Sequence, residues 1–292
     1  MHREDTISAH EYQRLADLIR LECGIVFPAA KRTMVESRLS RRARALGIES
    51  LSAYCQHLHS PAGRHLEVGR LIDEVTTHKT DFFREPGHFR FLVKHILPEL
   101  SERTGAGLRQ PLRVWSAASS TGEEPYTLAM VLSDYAQTLA ERPSNGLYQP
   151  AYRFHIEATD VSQGVLEKAL QAVYPEVLIA PVPLDFRKKY LLRSKDATRA
   201  VVRMTPAIRS HVSFRPLNLM DGDYGFADPL DVVFCRNVMI YFDRSTQRQV
   251  LLKILATLHT SGYLLMGHSE SLNGLDLPVE QVAPTVYRRI DG

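Results

Sequence analysis

The sequence contains no apolar run near the ~18 residues that a membrane span requires, and its opening Met-His-Arg-Glu-Asp has no apolar stretch of the secretory-signal kind. A cytoplasmic protein without membrane insertion is therefore expected. Cysteine is scarce: Cys23, Cys55 and Cys235 are odd in number and show no CxxC spacing, which argues against a disulfide framework and a cysteine-rich zinc site. The 12 histidines form no HExxH or comparable cluster, so no metal is expected. GxSxG, Walker A and GxGxxG patterns are also missing, as are internal repeats and low-complexity tracts.

What is present has ordinary globular proportions, with 44% hydrophobic and 24% charged residues in 292, which leaves no room for extended disorder. At roughly 100–200 residues per domain, two domains or one domain with an attached module are expected. The net charge of +3 is local, because residues 1–70 hold 11 Lys and Arg against 8 Asp and Glu and the remainder balances at 25 against 25.

Residues 1–75 read as an all-helical domain. Ser8 and Glu11 have capping-box spacing, Tyr12, Leu15, Ala16, Ile19 and Cys23 follow at helical intervals, and Gly24 supplies a stop. A second helix after Pro28 buries Met34, Val35, Leu39, Ala43 and Leu46 and ends at Gly47. Its other surface carries Lys31, Arg32, Arg38, Arg41, Arg42 and Arg44 against Glu36 alone, +5 in 14 residues. That face is either a solvated surface or a docking patch for an acidic partner. Two further helices run over 51–58 and 64–75, the second through Leu66, Leu71, Ile72 and Val75.

From Leu112 short β-prone runs alternate with helical stretches, the pattern of a doubly wound α/β sheet. Strands are expected at Leu112–Ser116, Tyr152–Ala158, Val212–Pro216, Asp231–Cys235 and Gly262–Gly267. Helices are expected at Glu123–Leu139, Ser162–Val173 and Ser245–Leu258, the last stopped by Ser261-Gly262. The interval 174–211 breaks the alternation with a Pro-rich loop, a helix near Asp185–Leu192 and β-prone Ala200–Met204, and reads as a small inserted β-subdomain. Residues 141–150 read as a polar loop.

Three places combine sheet position with functional chemistry. Ser116–Tyr126 is a strand, a turn of small residues and a helix start, where doubly wound folds bind nucleotide-like ligands. Glu123 and Glu124 at that helix start disfavour a pyrophosphate and suit a cationic ligand. Asp160, ending the second strand, is either a ribose acceptor or a helix cap. Arg236 and Asn237 follow a buried apolar strand at the carboxyl edge of the sheet. Between the helical domain and the sheet, residues 76–90 form a connector whose polar and aromatic residues, Thr76 to Pro86, read as a loop folded over a site or as a hinge.

These blocks, with Leu217–Asp221, Phe234–Asp243 and Gly262–Ser271, resemble the chemotaxis receptor methyltransferases of the CheR family over the whole chain. The resemblance implies a class I S-adenosylmethionine-dependent methyltransferase domain over 91–292, holding the inserted β-subdomain and preceded by the helical domain. It implies S-adenosylmethionine as cofactor, S-adenosylhomocysteine as product, and glutamate methyl esters on the acidic cytoplasmic helical bundle of chemoreceptors. By similarity the cofactor meets His78, Thr80, Arg84, Glu123, Asp160, Asn218, Leu219, Arg236 and Asn237. Arg84 and Tyr241 are the expected catalytic residues, and Arg38, Arg41, Arg42 and Arg44 the receptor-binding ones. His78 stands where the family usually has Asn, and Ser119 where many relatives have Cys. A sulfonium donor and an ionised carboxylate need no strong base or metal, so positioning carries most of the catalysis. A monomer is expected. The same chemistry on a receptor of another pathway is an alternative, as is nucleic-acid methylation, which the lack of aromatics in the basic run disfavours. Relatives that bind a receptor's C-terminal pentapeptide have a Gly-containing loop in the β-subdomain; here Leu192–Val201 has none, which implies pentapeptide independence.

Overall fold

The computed structural model describes residues 6–140, 151–196 and 198–291; the expected polar loop at 141–150 lies outside them. Four helices open the chain: α1 Ala9–Cys23, α2 Arg32–Ala45, α3 Leu51–His59 and α4 Pro61–Val75. The capping box forms, with Ser8 Oγ accepting from Glu11 N at 3.1 Å and the Glu11 carboxylate accepting from Ser8 N at 2.7 Å. Gly24 ends α1 at φ +76°, a left-handed conformation that favours glycine. Leu15, Ile19, Val35, Leu39, Leu51, Tyr54, Leu58 and Leu71 form the core of this unit.

Two residues expected in that core are not there. Leu46 and Leu66 are 39% and 68% exposed; Leu46 follows the end of α2, and Ile48 packs instead. The basic face of α2 is also largely committed within the protein. Arg38 Nη1 donates to the carbonyls of Glu74, Val75 and Thr76 at 2.8–3.1 Å, closing the C-terminus of α4. Arg42 grips Glu67 through Nε and Nη2 at 2.8 and 2.7 Å, and Arg32 pairs with Glu36 at 2.9 Å. Of the four expected docking arginines, Arg38 and Arg42 are thus spent on holding α4, while Arg41 and Arg44 remain exposed.

Beyond the connector, α5 Gly87–Phe91 passes through a π-helical turn into α6 Leu97–Arg103. Helix thus begins inside the expected connector, after Pro86. The main sheet contains β1 Leu112–Ala117, β2 Phe154–Asp160, β6 Val212–Pro216, β7 Leu230–Cys235, β8 Leu258–Met266, β9 Val279–Ala283 and β10 Val286–Arg289. Their order is β6-β2-β1-β7-β8-β10-β9. The first five are parallel, with Val114 opposite both Ile156 and Val232. The antiparallel β9–β10 hairpin was not expected from the pattern, because its strands are short and half polar. Alternation sorts Val114, Val232, Phe234 and Leu265 to one apolar layer and Trp115, Val233, Cys235 and Leu264 to the other. Cys23, Cys55 and Cys235 are all buried.

Helices α7 Glu123–Ala140, α8 Gln163–Gln171 and α11 Arg244–Thr257 link the parallel strands. Ser261-Gly262 does not stop α11; β8 begins directly at Leu258, and Ser261 at φ +68° sits where the pairing with β7 shifts register. The inserted β-subdomain is a three-stranded antiparallel sheet of β3 Val173–Pro175, β5 Val201–Met204 and β4 Leu191–Arg193, with α9 Leu184–Tyr190 between β3 and β4. Val173 therefore belongs to a strand, since Ala172 at φ +53° ends α8. Leu191 and Leu192 leave the expected helix for β4. A last short helix, α10 Pro206–Arg209, leads into β6.

Glu67 is buried and Arg42 only a quarter exposed, so Arg42→Ala strands a carboxylate and should cost about 2–3 kcal/mol. Arg41→Ala, losing one loose 3.8 Å pair at a 67% exposed side chain, should stay within about 0.5 kcal/mol. Urea denaturation of the two variants gives the comparison; equal losses would refute this division of the basic face.

Candidate functional site

The β1 turn is tied to its neighbour before any ligand is considered. Trp115 Nε1 donates to Thr159 Oγ1 at 2.9 Å, and Ser119 N donates to Thr159 O at 2.8 Å. Asp160 then accepts from Ser120 N at 2.9 Å and from Ser162 N at 3.0 Å, one bond to each carboxylate oxygen. The cap of α8 is Ser162, whose hydroxyl accepts from Val165 N, so Asp160 keeps acceptor capacity. Burial pushes the Asp160 carboxyl up while these two amide donors pull it down, and the net direction is upward.

The connector folds across this turn. Ser120 Oγ donates to His78 O at 3.0 Å, and Phe83 N donates to Thr127 Oγ1 of α7 at 3.2 Å. Phe82 is inserted into the core edge-on to Tyr174, at 4.9 Å between centroids. The connector is thereby anchored to the β1 turn, to α7 and to the core. Phe83, Glu85, Ala118, Ser120 and Asn237 all have φ between +51° and +61°, left-handed conformations that cost non-glycine residues free energy and gather at functional sites.

Arg236 joins the pieces. Its side chain is 2% exposed. Nη1 donates to Glu124 Oε2 at 3.1 Å, and Nη2 donates to Arg84 O at 2.6 Å and Glu85 Oε2 at 2.9 Å. Burial alone would raise the Glu85 carboxyl, but Arg236 overrides it and holds Glu85 below the usual range. Glu124 lies deeper, so burial dominates there and its carboxyl is raised despite Arg236 and the 2.7 Å bond from Ser116 Oγ. Glu270 completes the edge by accepting from Asn237 N, Met239 N and Gly267 N at 2.7–2.8 Å. That gives the carboxylate of the Gly262–Ser271 block a defined task.

Between connector, β1 turn and β7 edge lies a cavity, partly open to solvent. It brings together the expected His78, Thr80, Arg84, Asp160, Arg236, Asn237 and Tyr241. Glu123, Asn218 and Leu219 do not line it. Glu123 is buried and accepts from Thr121 Oγ1 at 2.6 Å; the next residue on α7, Glu124, faces the cavity instead. The Asn218 amide donates to Glu22 O at the end of α1, and Leu219 is buried in the core. Sequence reasoning missed Ile25, Phe27, Lys31 and Met34, by which the helical unit contributes a wall. Lys31 Nζ stands 5.6 Å from the centroid of the Tyr241 ring, and Val26 N donates to Tyr241 O at 2.9 Å.

Comparison with known proteins identifies the fold around this cavity. The profile of the CheR methyltransferase all-alpha domain matches residues 10–76, and that of the CheR methyltransferase SAM binding domain matches residues 78–288. The chain belongs to the CheR methyltransferase family. It is 35% identical over 283 residues to the chemotaxis protein methyltransferase of Borreliella burgdorferi, covering 97% of this chain and 95% of that one. With the Escherichia coli (strain K12) chemotaxis protein methyltransferase it shares 36% over 282 residues, covering 96% and 91%. The parallel sheet with its antiparallel hairpin is accordingly a class I methyltransferase sheet, and this CheR-family protein is an S-adenosylmethionine-dependent methyltransferase. The wall fits that cofactor: Asp160 retains acceptor capacity, Ser119 Oγ and Arg236 Nε are buried without a hydrogen-bond partner, and small residues at 117–120 leave the turn open.

Removing the Arg236 charge would leave Glu85 and Glu124 facing each other in a buried site. Arg236→Gln should therefore destabilise the fold by about 3–5 kcal/mol, measured by thermal or urea unfolding. A loss below about 1 kcal/mol would show that the two carboxyls do not depend on it.

Proposed function

We propose that this protein methylates glutamate side chains on the cytoplasmic helical bundle of chemoreceptors, acting in the cytoplasm as a monomer. The observation that carries the reading is the connector closed over the β1 turn, which sets Arg84, Tyr241 and Asp160 around one cavity. S-adenosylmethionine supplies a methyl group already activated on a sulfonium. Asp160 is suited to accept the ribose hydroxyls, with Ser119 Oγ and Arg236 Nε as further partners for its polar groups. His78, Thr80 and Asn237 line the same wall.

Arg84 and Lys31 line the same cavity as Tyr241, so a carboxylate acceptor enters beside cations. Arg84 orients that carboxylate, and Tyr241 shapes the opening through which it reaches the donor. Water exclusion by the connector strengthens these interactions, and positioning supplies the larger part of the rate. Exposed Arg41 and Arg44 are the remaining candidates for docking an acidic bundle, effective over the ~8 Å screening length of physiological salt.

Labelled cofactor incubated with receptor fragments should place base-labile label on glutamate peptides; label on nucleic acid, or none, would overturn the assignment. Arg84→Ala should lower kcat/KM by about a hundredfold with little change in Tm. Charge reversal of Arg41 and Arg44 to Glu should raise the receptor KM while leaving cofactor affinity alone.

The β4–β5 connection has no glycine, and we take the β-subdomain to act without a C-terminal pentapeptide. Titration with such a peptide should give no saturation below about 10 μM, roughly −7 kcal/mol; tighter binding would refute independence.

A further inference from the structure

Beside the cavity, three side chains from different parts of the chain converge: Glu85 of the connector, His88 of α5 and His268 after β8. Glu85 and His268 are 183 residues apart in sequence, which is why local spacing could not reveal them. Each offers one donor atom, and the three atoms lie within 4.8 Å of one another. His88 Nδ1 is 3.5 Å from Glu85 Oε2, and His268 Nε2 is 3.9 Å from the same oxygen. Ligands about 2.0–2.2 Å from a tetrahedral zinc ion stand roughly 3.3–3.6 Å apart. His268, 60% exposed at the side chain, has room to close the remaining gap.

The proton inventory points the same way. His88 is 3% exposed and its Nδ1 has no hydrogen-bond partner. Its Nε2 lies 2.9 Å from Thr285 Oγ1. The Thr285 hydroxyl has a second acceptor in Pro284 O at 2.8 Å; in the tautomer where it donates there, it accepts from His88 Nε2, which carries the imidazole proton. Nδ1 is then an unprotonated lone pair facing a carboxylate. The hydroxyl on Nε2 is also the arrangement that orients a ligating imidazole.

We propose that Glu85, His88 and His268 bind a divalent transition-metal cation of borderline softness, such as Zn²⁺, with the fourth position open to solvent. Two histidines and one carboxylate suit this class. Arg236 opposes a cation here, but it is itself paired with Glu85 and Glu124, and Glu85 Oε2 has a lone pair beyond the one given to Arg236. An ion at this point would staple the connector and α5 to the turn after β8. Its capture does not depend on which acceptor the protein methylates.

Calorimetric titration of the full chain with Zn²⁺, without S-adenosylmethionine, should show one site with Kd below about 10 μM. Co²⁺ in its place should give tetrahedral d–d absorption without a thiolate charge-transfer band. His268→Ala, at an exposed position, should weaken binding at least about tenfold, while His259→Ala, exposed at the start of β8, should not. No binding at about 100 μM Zn²⁺, undiminished binding in His268→Ala, or a sulfur charge-transfer band would each overturn the site.

Discussion

One buried guanidinium holds the cavity together. Arg236 reaches the connector through Glu85 and the Arg84 carbonyl, and α7 through Glu124. Its own backbone continues β7 into Asn237, whose amide is fixed by Glu270. Desolvating an arginine and two carboxyls is expensive, and mutual pairing offsets that cost only when the geometry is kept. The energetic consequence is that connector, sheet edge and α7 start must adopt their positions together. A site assembled in this way is pre-organised, which is what a reaction relying on alignment requires.

The strained residues follow from the same constraint. Phe83 and Glu85 turn left-handed so that the connector can drop Phe82 into the core while presenting Glu85 to Arg236. Ala118 and Ser120 do so in the β1 turn, where Ser120 gives its amide to Asp160 and its hydroxyl to His78. Each such residue costs on the order of 1–3 kcal/mol, sustained by the buried contacts on either side.

Features set by local spacing were legible in the sequence. The capping box at Ser8 and Glu11, the stop at Gly24 and the strand-end position of Asp160 all depend on neighbours within a few residues, or on the ordered blocks of the family. What escaped depends on distant partners. Arg42 looked like surface charge because Glu67 is 25 residues away, and Arg38 because the carbonyls it caps begin 36 residues on. Glu123 and Glu124 differ by one step of α7, and only packing decides which faces the cavity. Asn218 and Leu219 sit in a family block, yet their side chains serve the α1 junction and the core. The β9–β10 hairpin is stabilised by pairing with β8, a long-range contact with little apolar signature of its own.

The wall formed by Ile25, Phe27, Lys31 and Met34 makes the helical unit part of the cavity and not an appendage to it. A molecule that touches both this wall and the sheet edge binds better when the two units are seated against each other. Linkage makes the relation mutual: filling the cavity tightens the seating of the helices by the same free energy that their seating adds to occupancy.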